Sequence, residues 1–525
     1  MNRILLIAFI FVLGLAVGLA VLAYFAYVIE TGPPPAAEVA GLNSPATVKW
    51  SASQVATVEA QTAEDAWTAL GYAQASRQTW PMLLYRAAAL GRLSSMIGHP
   101  GVDSDRLALR LGIADGARAA FERLNTSEQG MLEAFARGIN GALSDRRILR
   151  DPALILSGVQ PQLWEAWHSI AVERLFAWLG SETDVDTTAS INRPLRAVLL
   201  MHDFDKSSVI ASVHPIEAGL YARYVYGSTA LPALFEVTMT SGEGGALQGA
   251  CLVGTPFFVA GRTRGRVWAF LPTSSYELSP LTEARRLRTS YERLHPKGGS
   301  ENVVAIARDS LGVVLSWDER QRTAPDSSDR ILSWTGHGAV SDAATWLSIH
   351  SEEAARFSLF DGAGITLGGD NTTLVGPGMT TTRSKFFVTV SESPWARYSI
   401  ARLDSLASDA TGFYPRIWFN DTYSTWASEV VPMLVEAASD SAAGPMVQDA
   451  ISYLRNWDFA FDRASIAASI LNVWAEIALE LEGSWPLLGS TEANEDGTPD
   501  RRRWSAFLEF AVARLATDFD GDMSM

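Results

Sequence analysis

The stretch from Thr62 to Gly98, TAEDAWTALGYAQASRQTWPMLLYRAAALGRLSSMIG, is the most informative part of the chain. Thr62 and Asp65, three residues apart, form a pair that is typical of a helix N-cap. The residues that follow have the spacing of one apolar helical face: Ala66, Trp67, Leu70 and Ala73. Pro81 indicates a break, and the sequence predicts a second helix from Met82 to Met96.

The order of residues within these two helices carries a resemblance. Ala-Trp-x-x-Leu-Gly-Tyr-x-x-Ala begins at Ala66, Trp80 and Met82 follow, and Arg-Ala-Ala-x-x-Gly-Arg-Leu-Ser begins at Arg86. This order resembles the first helices of the penicillin acylase (penicillin amidase) family of N-terminal-nucleophile (Ntn) hydrolases. The resemblance extends over most of residues 45–520. It is strong before residue 180, patchy from 181 to 280 and moderate after 400.

The resemblance implies a fold and a reaction. The fold is α+β: a four-layer αββα Ntn-hydrolase-like sandwich of two stacked antiparallel sheets, with helical insertions. The family reaction is hydrolysis of linear amide C–N bonds in β-lactam or N-acyl amide substrates. In a working relative, the residues matching Tyr72, Trp80 and Met82 would line and cover the acyl-binding cleft.

Composition indicates a globular protein. Hydrophobic residues make up 48% of the 525, with 17 Trp and 22 Phe, which is unlike a disordered chain. A formal net charge of −16 argues against binding of nucleic acid or of an anionic membrane through a basic face. The single cysteine, Cys251, excludes internal disulfides and cysteine-based metal clusters. Its apolar surroundings, ACLVGTPFFVA, favour a buried strand residue over a nucleophile.

The N-terminal residues predict a membrane anchor. Residues 4–29 are apolar and uncharged for longer than the roughly 20 residues that cross a bilayer. Arg3 precedes this run, and the aromatic residues Tyr24, Phe25 and Tyr27 close it, as in an interfacial anchor. We therefore expect one transmembrane helix, with the bulk of the chain on the extracytoplasmic (periplasmic) side of the cytoplasmic membrane. A cleaved signal peptide is the alternative.

The chain is expected to divide into five parts. They are a membrane anchor (1–30), a Pro-rich linker (31–44), an acylase-like helical region (45–180), a degenerate spacer (181–206) and an acylase-like β-chain region (207–525). Because family members continue well past the last predicted helix, the resemblance leads us to expect a β-chain region that is shortened at its C-terminus. Either the sheet is smaller, or a second chain completes it.

Several elements can be placed by pattern. A strand is expected in 45–60, a capping box at Thr126 and Gln129, and an amphipathic helix in 161–179. Hairpins are expected at Gly261–Gly265 and at 310–312. Four late helices are expected in 420–436, 447–457, 464–481 and 503–519. His168, in the 161–179 helix, is either a catalytic base or, more commonly for such a residue, a core histidine.

The nucleophile of the family is a serine that becomes the chain terminus after the spacer is removed, and its own α-amino group acts as the base. At the matching position this sequence has Arg193. Ser190, in Ser190-Ile-Asn192, is the nearest fragment of the family motif, and it lacks the tryptophan. Thr188 is a second displaced candidate.

The oxyanion groups of the family also lack counterparts. The backbone donor position falls on Pro272, and proline has no N–H. The segment matching the oxyanion asparagine, Gly378–Arg383, contains no asparagine. The family arginine falls on Ser399, although Arg397 and Arg402 are close. The calcium ligands of some relatives fall near Tyr276 and Ser279, so neither a metal nor another cofactor is expected.

Three functions follow from these residues. The first is a membrane-anchored, non-catalytic homologue, a pseudoenzyme that binds a ligand or partner through the inherited cleft. The second is an active amidohydrolase with a shifted nucleophile, Ser190 or Thr188. The third is a structural subunit of a membrane complex. The expected partners are the membrane, through residues 4–29, and a possible second chain, with no nucleic acid.

Overall fold

The computed structural model describes most of the helical region and parts of the β-chain region. The described residues are 13–21, 23, 36–145, 147–179, 195, 198–199, 208–213, 218–223, 231–242, 244–263, 267–271, 276–281, 286–309, 312–315, 317, 323–326, 329–334, 363–368, 371–375, 380–383, 387–391, 402, 405–406, 421–439, 445–462 and 464–482. Nearly all of the predicted spacer, and the predicted helix 503–519, lie outside them.

Besides the short helix at residues 13–21, two sets of helices are described. The helical region contains α1 (Ala63–Arg77), α2 (Thr79–Ala89), α3 (Ser94–Ile97), α4 (Val102–Leu111), α5 (Ile113–Arg123), α6 (Thr126–Leu143), α7 (Pro152–Ser157) and α8 (Ala166–Leu179). Short 3₁₀ turns cover His99–Gly101 and Ile148–Arg150. The later set is α9 (Thr425–Ser439), α10 (Pro445–Arg455) and α11 (Ile466–Glu482). Three of the four late helices predicted from sequence are therefore confirmed, with boundaries shifted by a few residues.

The helix termini confirm one sequence prediction and correct two. The Thr62 side chain caps α1 by accepting from the Asp65 N–H, as expected. Helix α2 begins at Thr79, two residues before Pro81, because proline is tolerated within the first turn of a helix. It ends at Ala89, and Ser94–Ile97 forms the separate helix α3, so the single helix predicted from Met82 to Met96 is wrong. The capping box of α6 is formed by Asn125 and Glu128 and not by the predicted pair one residue later.

Helix α8 corrects another prediction. It begins at Ala166 and not at residue 161, and every residue from Trp167 to Leu179 is buried. The helix is therefore surrounded by protein and is not amphipathic. Helices α2, α5 and α6 pack against it.

The strands form three described sheets. An eight-stranded sheet has the order β1 (Thr47–Trp50), β2 (Ala56–Ala60), β5 (Leu234–Ser241), β6 (Gly244–Leu252), β7 (Phe258–Arg262), β8 (Val267–Leu271), β14 (Ala363–Gly368) and β15 (Asn371–Val375). A five-stranded sheet has the order β10 (Arg288–Leu294), β11 (Asn302–Arg308), β12 (Val313–Val314), β13 (Arg330–Trp334) and β9 (Tyr276–Pro280). A four-stranded sheet has the order β16 (Thr380–Arg383), β17 (Phe387–Ser391), β3 (Ser208–Val213) and β4 (Ala218–Arg223) and lies against β8 and β14.

The first strand predicted from sequence is in fact a hairpin. β1 and β2 pair antiparallel, with Thr47 opposite Glu59, and the turn between them places Gln54 at a φ of 64°. β2 then pairs parallel with β5, so that Ala56 lies opposite Val237. This parallel ladder joins the helical region to the strands that follow the predicted spacer.

The two hairpins predicted later in the chain are confirmed. β11 pairs antiparallel with β12, and β7 pairs antiparallel with β8. Gly261 lies inside β7 and not in its turn. A Cβ atom at Gly261 would lie 2.3 Å from the ring of Trp268, so this glycine makes room for a buried tryptophan.

Helices α1 and α6 cross at unusually close range. A Cβ atom at Gly138 would lie 1.8 Å from the Thr68 carbonyl oxygen, and one at Gly71 would lie 2.1 Å from that of Phe135. Neither position can hold a larger residue without moving the other helix. Helix α1 also packs against β2 and β5, so the crossing fixes the helical layer on the eight-stranded sheet.

Strand β11 of the five-stranded sheet is buried on both faces, whereas its neighbour β10 is exposed except at Leu294. Val304 and Ile306 of β11 belong to the main core, whereas Ala305 and Ala307 belong to a separate core with Trp317 and Ile331. Neighbouring residues of a strand point to opposite faces, so the two cores flank one sheet.

The α+β class is thus confirmed. The stacking of the full four-layer sandwich stays a prediction. Within the part of the chain that the structure describes, no helix combines the length and the apolar character needed to span a bilayer.

Candidate functional site in the helical region

A group of hydrogen-bonded polar side chains lies at the start of α8. His168 is buried, and its Nδ1 accepts a hydrogen bond from the Glu165 N–H at 2.9 Å. Its ring lies edge-on to the ring of Trp167, with 4.2 Å between centroids. The Glu165 carboxylate accepts from the Trp167 indole N–H at 2.9 Å. His168 therefore caps the helix on which it lies.

The environment of His168 opposes protonation. Burial, reinforced by the positive charges of Arg86, Arg92 and Arg118, lowers the pKa of His168 from 6.5 to about 3. The imidazole is neutral near pH 7, and its Nδ1 lone pair is already used by the backbone. These contacts favour the structural interpretation of His168 over the catalytic one.

Arg86, the first residue of the Arg-Ala-Ala motif, holds the segment before α8. Its guanidinium donates to the carbonyl oxygens of Gln162 and Leu163, each at 3.1 Å, and lies 5.0 Å from the centroid of the Trp164 ring. Burial is the main cause that lowers the pKa of Arg86, to about 10, so the group stays charged near pH 7. The motif that carries the family resemblance thus has a packing role here.

Gln74 connects α1 to the eight-stranded sheet. Its amide nitrogen donates to the Cys251 Sγ at 3.0 Å and to the Thr255 carbonyl at 2.9 Å, and its oxygen accepts from the Gly254 N–H at 2.9 Å. Cys251 is fully buried in β6, and burial raises the pKa of its thiol. A buried neutral thiol is a poor nucleophile. Cys251 is therefore the buried strand residue that the sequence predicts.

The three predicted cleft residues all contribute to the main core, but to different depths. Met82 is fully buried, whereas Tyr72 and Trp80 are half-buried. The Tyr72 hydroxyl is buried and has no hydrogen-bond partner among the residues that the structure describes. Burial, followed by the charge of Asp145, raises the pKa of Tyr72. Of the three, Tyr72 and Trp80 keep part of their surface accessible; whether they line a cleft stays a prediction.

Two buried ionisable residues that are adjacent on α8 were not expected from the sequence. Glu173 and Arg174 are 5% and 0% exposed within an otherwise apolar part of the helix. Burial raises the pKa of Glu173 well above its ordinary value, although Arg174 opposes the shift. Burial is likewise the main cause that lowers the pKa of Arg174, to about 10. The only signal in the sequence was a Glu-Arg pair within a run of apolar residues.

The predicted catalytic positions fall outside the described residues. This is true of Thr188, Ser190, Arg193 and Pro272, and the structure bears only on their flanks. Helix α8 ends at Leu179 and β3 begins at Ser208, on either side of the spacer, while β8 ends at Leu271. Residues 380–383, within the segment that matches the oxyanion asparagine of the family, form β16.

Arg402, near the position of the family arginine, is engaged with another residue. Its guanidinium binds the Asp421 carboxylate at 2.6 and 3.3 Å and lies 4.4 Å from the centroid of the Tyr423 ring. The hydrogen bond to Asp421 is the main cause that raises the pKa of Arg402. Arg402 is therefore held against Asp421 and Tyr423, in the segment before α9. Among the residues described, no group of three or more His, Cys, Asp or Glu is placed to hold a metal ion.

Comparison with known proteins identifies related sequences. The sequence model of the penicillin amidase family matches residues 45–349. The penicillin acylase 2 proenzyme of Pseudomonas sp. (strain SE83) is 35% identical over 136 residues, which are 26% of this chain and 17% of that protein. The acyl-homoserine lactone acylase QuiP of Pseudomonas aeruginosa is 30% identical over 134 residues, 26% of this chain and 16% of that protein. The match spans less than a fifth of the length of either relative.

Among solved structures, a thermostable penicillin G acylase from Alcaligenes faecalis aligns with 61% of this chain and 80% of its own. The TM-score is 0.33 and the sequence identity is 12%.

Proposed function

The chain belongs to the penicillin amidase family, and from that premise we propose that it is a membrane-anchored member that no longer hydrolyses amides. Its function is then to bind a ligand or a protein partner through the inherited scaffold. The ligand class that the family suggests is an N-acyl amide or a β-lactam.

The observation that carries the proposal is Pro272. It occupies the position at which relatives of the acylase type place a backbone N–H against the oxyanion of the tetrahedral intermediate, and proline has no hydrogen to donate. Loss of one such donor costs about 3–4 kcal/mol of transition-state stabilisation. Arg193 at the nucleophile position is a second, independent loss, because a guanidinium is not a nucleophile.

The described polar groups support the proposal from another direction. His168 caps α8, Cys251 is sealed in β6, and Arg86 holds the segment before α8. Each of these residues has a packing or hydrogen-bonding role that accounts for its presence. None of the three is placed to act as a displaced nucleophile or base.

The proposed anchor is supported by residues 13–21. They are helical, and five aliphatic side chains spread over this short helix are about half exposed: Leu13, Leu15, Val17, Leu19 and Val21. A helix that is apolar on all faces is stable either in a protein core or in lipid. The described protein does not cover these side chains, so lipid is the better solvent for them.

Self-processing tests the loss of catalysis. The full chain, purified from membranes in detergent, is analysed by denaturing electrophoresis and intact mass. We expect one uncut chain and no release of chromophore from chromogenic N-acyl amides. Two fragments separated by a cut within 181–193 would overturn the proposal and favour the enzyme with a shifted nucleophile. Ser190→Ala and Thr188→Ala would then identify that nucleophile, since only the true one abolishes the cut.

A role as a structural subunit is the second candidate, and the eight-stranded sheet is the observation that favours it. Its outermost described strands are β1 and β15, so each has one side without a described pairing partner. Such edges can accept a strand from another chain. Stoichiometric co-purification of one partner from solubilised membranes supports this role. A monodisperse monomer at native expression level counts against it.

A further inference from the structure

Three large aliphatic side chains are strongly exposed at one corner of the helical region. Ile155 is 62% exposed, Leu156 is 86% exposed and Leu163 is 73% exposed. Within α7, Leu154 is directed into the core at 3% exposure while the next two residues point away from it. We call Ile155, Leu156 and Leu163 the apolar corner. Single exposed aliphatics need no explanation, but three strongly exposed ones within residues 155–163 are typical of an interaction surface.

The end of α6 holds the members of the apolar corner in one place. The Asn140 side chain accepts from the Trp164 N–H at 2.7 Å and donates to the Trp164 carbonyl at 2.9 Å, which fixes Leu163 beside the last turn of α6. The 3₁₀ turn Ile148–Arg150 packs against α6 and leads directly into α7. The corner is therefore a built feature of a helix terminus and not a loose loop.

The linker from the N-terminal apolar segment arrives at the same helix terminus. Val39 fills the space beside Gly141, in the last turn of α6, and its Cγ1 would lie 2.7 Å from a Cβ there. Gly41 lies against the Arg137 side chain one turn earlier. From Glu30 to Ala36 the Pro-rich linker can span only about 20 Å at roughly 3.1 Å per residue. A domain tethered there is held with this end of α6 facing the membrane.

The geometry points to the lipid bilayer as the occupant: the apolar corner inserts into the interfacial layer of the membrane that carries the anchor. Three residues are enough for a contact with the membrane interface, whereas a stable protein–protein interface needs many more residues. Its chemistry is aliphatic, so it does not depend on anionic lipid, in keeping with a chain of net charge −16. This inference rests on the proposed anchor and adds the orientation of the domain on the membrane.

The single cysteine makes a direct test possible. Cys251 is fully buried, so a thiol-reactive fluorophore labels an introduced surface cysteine selectively. Leu156→Cys places the probe in the apolar corner. Ser127→Cys places it on an exposed residue in the first turn of α6, at the opposite end of this 18-residue helix, which is about 27 Å long. Both full-length variants are reconstituted into phosphatidylcholine vesicles with and without lipid carrying a doxyl quencher on the acyl chain.

The expected result is blue-shifted emission at position 156, with quenching by doxyl lipid roughly two-fold or more above that at position 127. Equal quenching at both positions, in protein that floats with the vesicles, overturns the insertion of the apolar corner into the membrane and leaves the proposed anchor intact. Protein that fails to float with the vesicles overturns both. A probe at 156 that is shielded equally in detergent and in vesicles indicates a protein partner or a second copy and also overturns the inference.

Discussion

Asn140 and Trp164 hold each other through a reciprocal pair of hydrogen bonds, in which the amide side chain of Asn140 pairs with both backbone groups of Trp164. The pair closes the segment between α7 and α8 onto α6. Trp164 is 2% exposed, so its backbone groups have little access to water as a substitute partner. This relationship leads to the first prediction.

Asn140→Ala removes both hydrogen bonds. Each buried polar group left without a partner costs about 1–3 kcal/mol, so we expect the free energy of unfolding to fall by roughly 2 kcal/mol or more. Asn140→Asp keeps the acceptor for the Trp164 N–H but loses the donor and places a carboxylate oxygen against the Trp164 carbonyl oxygen. Urea denaturation should place both variants below wild type. Equal stability of all three would show that the pair is not formed.

Gly138→Ala is expected to separate α1 from α6. The added methyl group would lie 1.8 Å from the Thr68 carbonyl oxygen, and such overpacking costs about 1–3 kcal/mol or more. Gly130 lies in the same helix with open space around its Cβ position. Gly130→Ala should therefore stabilise the protein by about 0.5–1 kcal/mol through helix propensity. Thermal unfolding of the two variants should shift in opposite directions, and a shared direction would contradict the close crossing.

The buried carboxyl of Asp105 leads us to predict that the stability of the protein depends on pH. Asp105 is fully buried, and burial raises its pKa from 3.8 to about 6 although Leu93 and Ser94 donate backbone N–H groups to it. The folded state then holds a proton that the unfolded state has released, so stability falls as pH rises from 3.8 to 6. Relative to Asp105→Asn, wild type should lose about 2 kcal/mol between pH 4.5 and 6.5. If the difference in stability between wild type and Asp105→Asn stays constant across this pH range, the raised pKa is excluded.

For His168 we predict the opposite change of stability with pH. Its folded-state pKa of about 3 lies below the ordinary 6.5, so its contribution to stability is present above pH 6.5 and is lost as the pH falls. Relative to His168→Asn, wild type should be about 1.4 kcal/mol less stable at pH 5.5 than at pH 7.5. Chemical denaturation at the two pH values measures this difference. An unchanged difference would mean that His168 takes up a proton as readily in the folded protein as in the unfolded chain, and would exclude the lowered pKa.

The sequence predicted the helices better than their ends. In the segment Asn125-Thr-Ser-Glu-Gln129, two overlapping capping boxes fit the pattern, and the structure uses the one that begins at Asn125. The alternation in 45–60 suggested one strand because its turn contains neither glycine nor proline. Hydrogen bonds from Gln54 N to the Ser51 carbonyl and from Val55 N to the Ser51 hydroxyl, each 3.0 Å, make that turn. Local pattern does not encode such pairings.

The candidate site was predictable only where burial follows from local composition. Cys251 lies in an apolar run, and its burial could be expected. The burial of Glu173 could not, because it depends on three helices that close around α8 from distant parts of the sequence. The capping role of His168 likewise requires the position at which α8 begins, and the apolar pattern placed that start five residues too early.

The parallel ladder between β2 and β5 has a consequence for any cut in the chain. It pairs five residues before the spacer with five residues after it, from Ala56 opposite Val237 to Ala60 opposite Ser241. The Tyr85 hydroxyl bond to the Leu231 carbonyl and the contacts of Gln74 also cross that boundary. The parts of the chain before and after the spacer therefore pack together as one cooperative unit. Peptide-bond cleavage within 181–206 would leave the halves associated as a non-covalent pair, and separately expressed halves should reassemble.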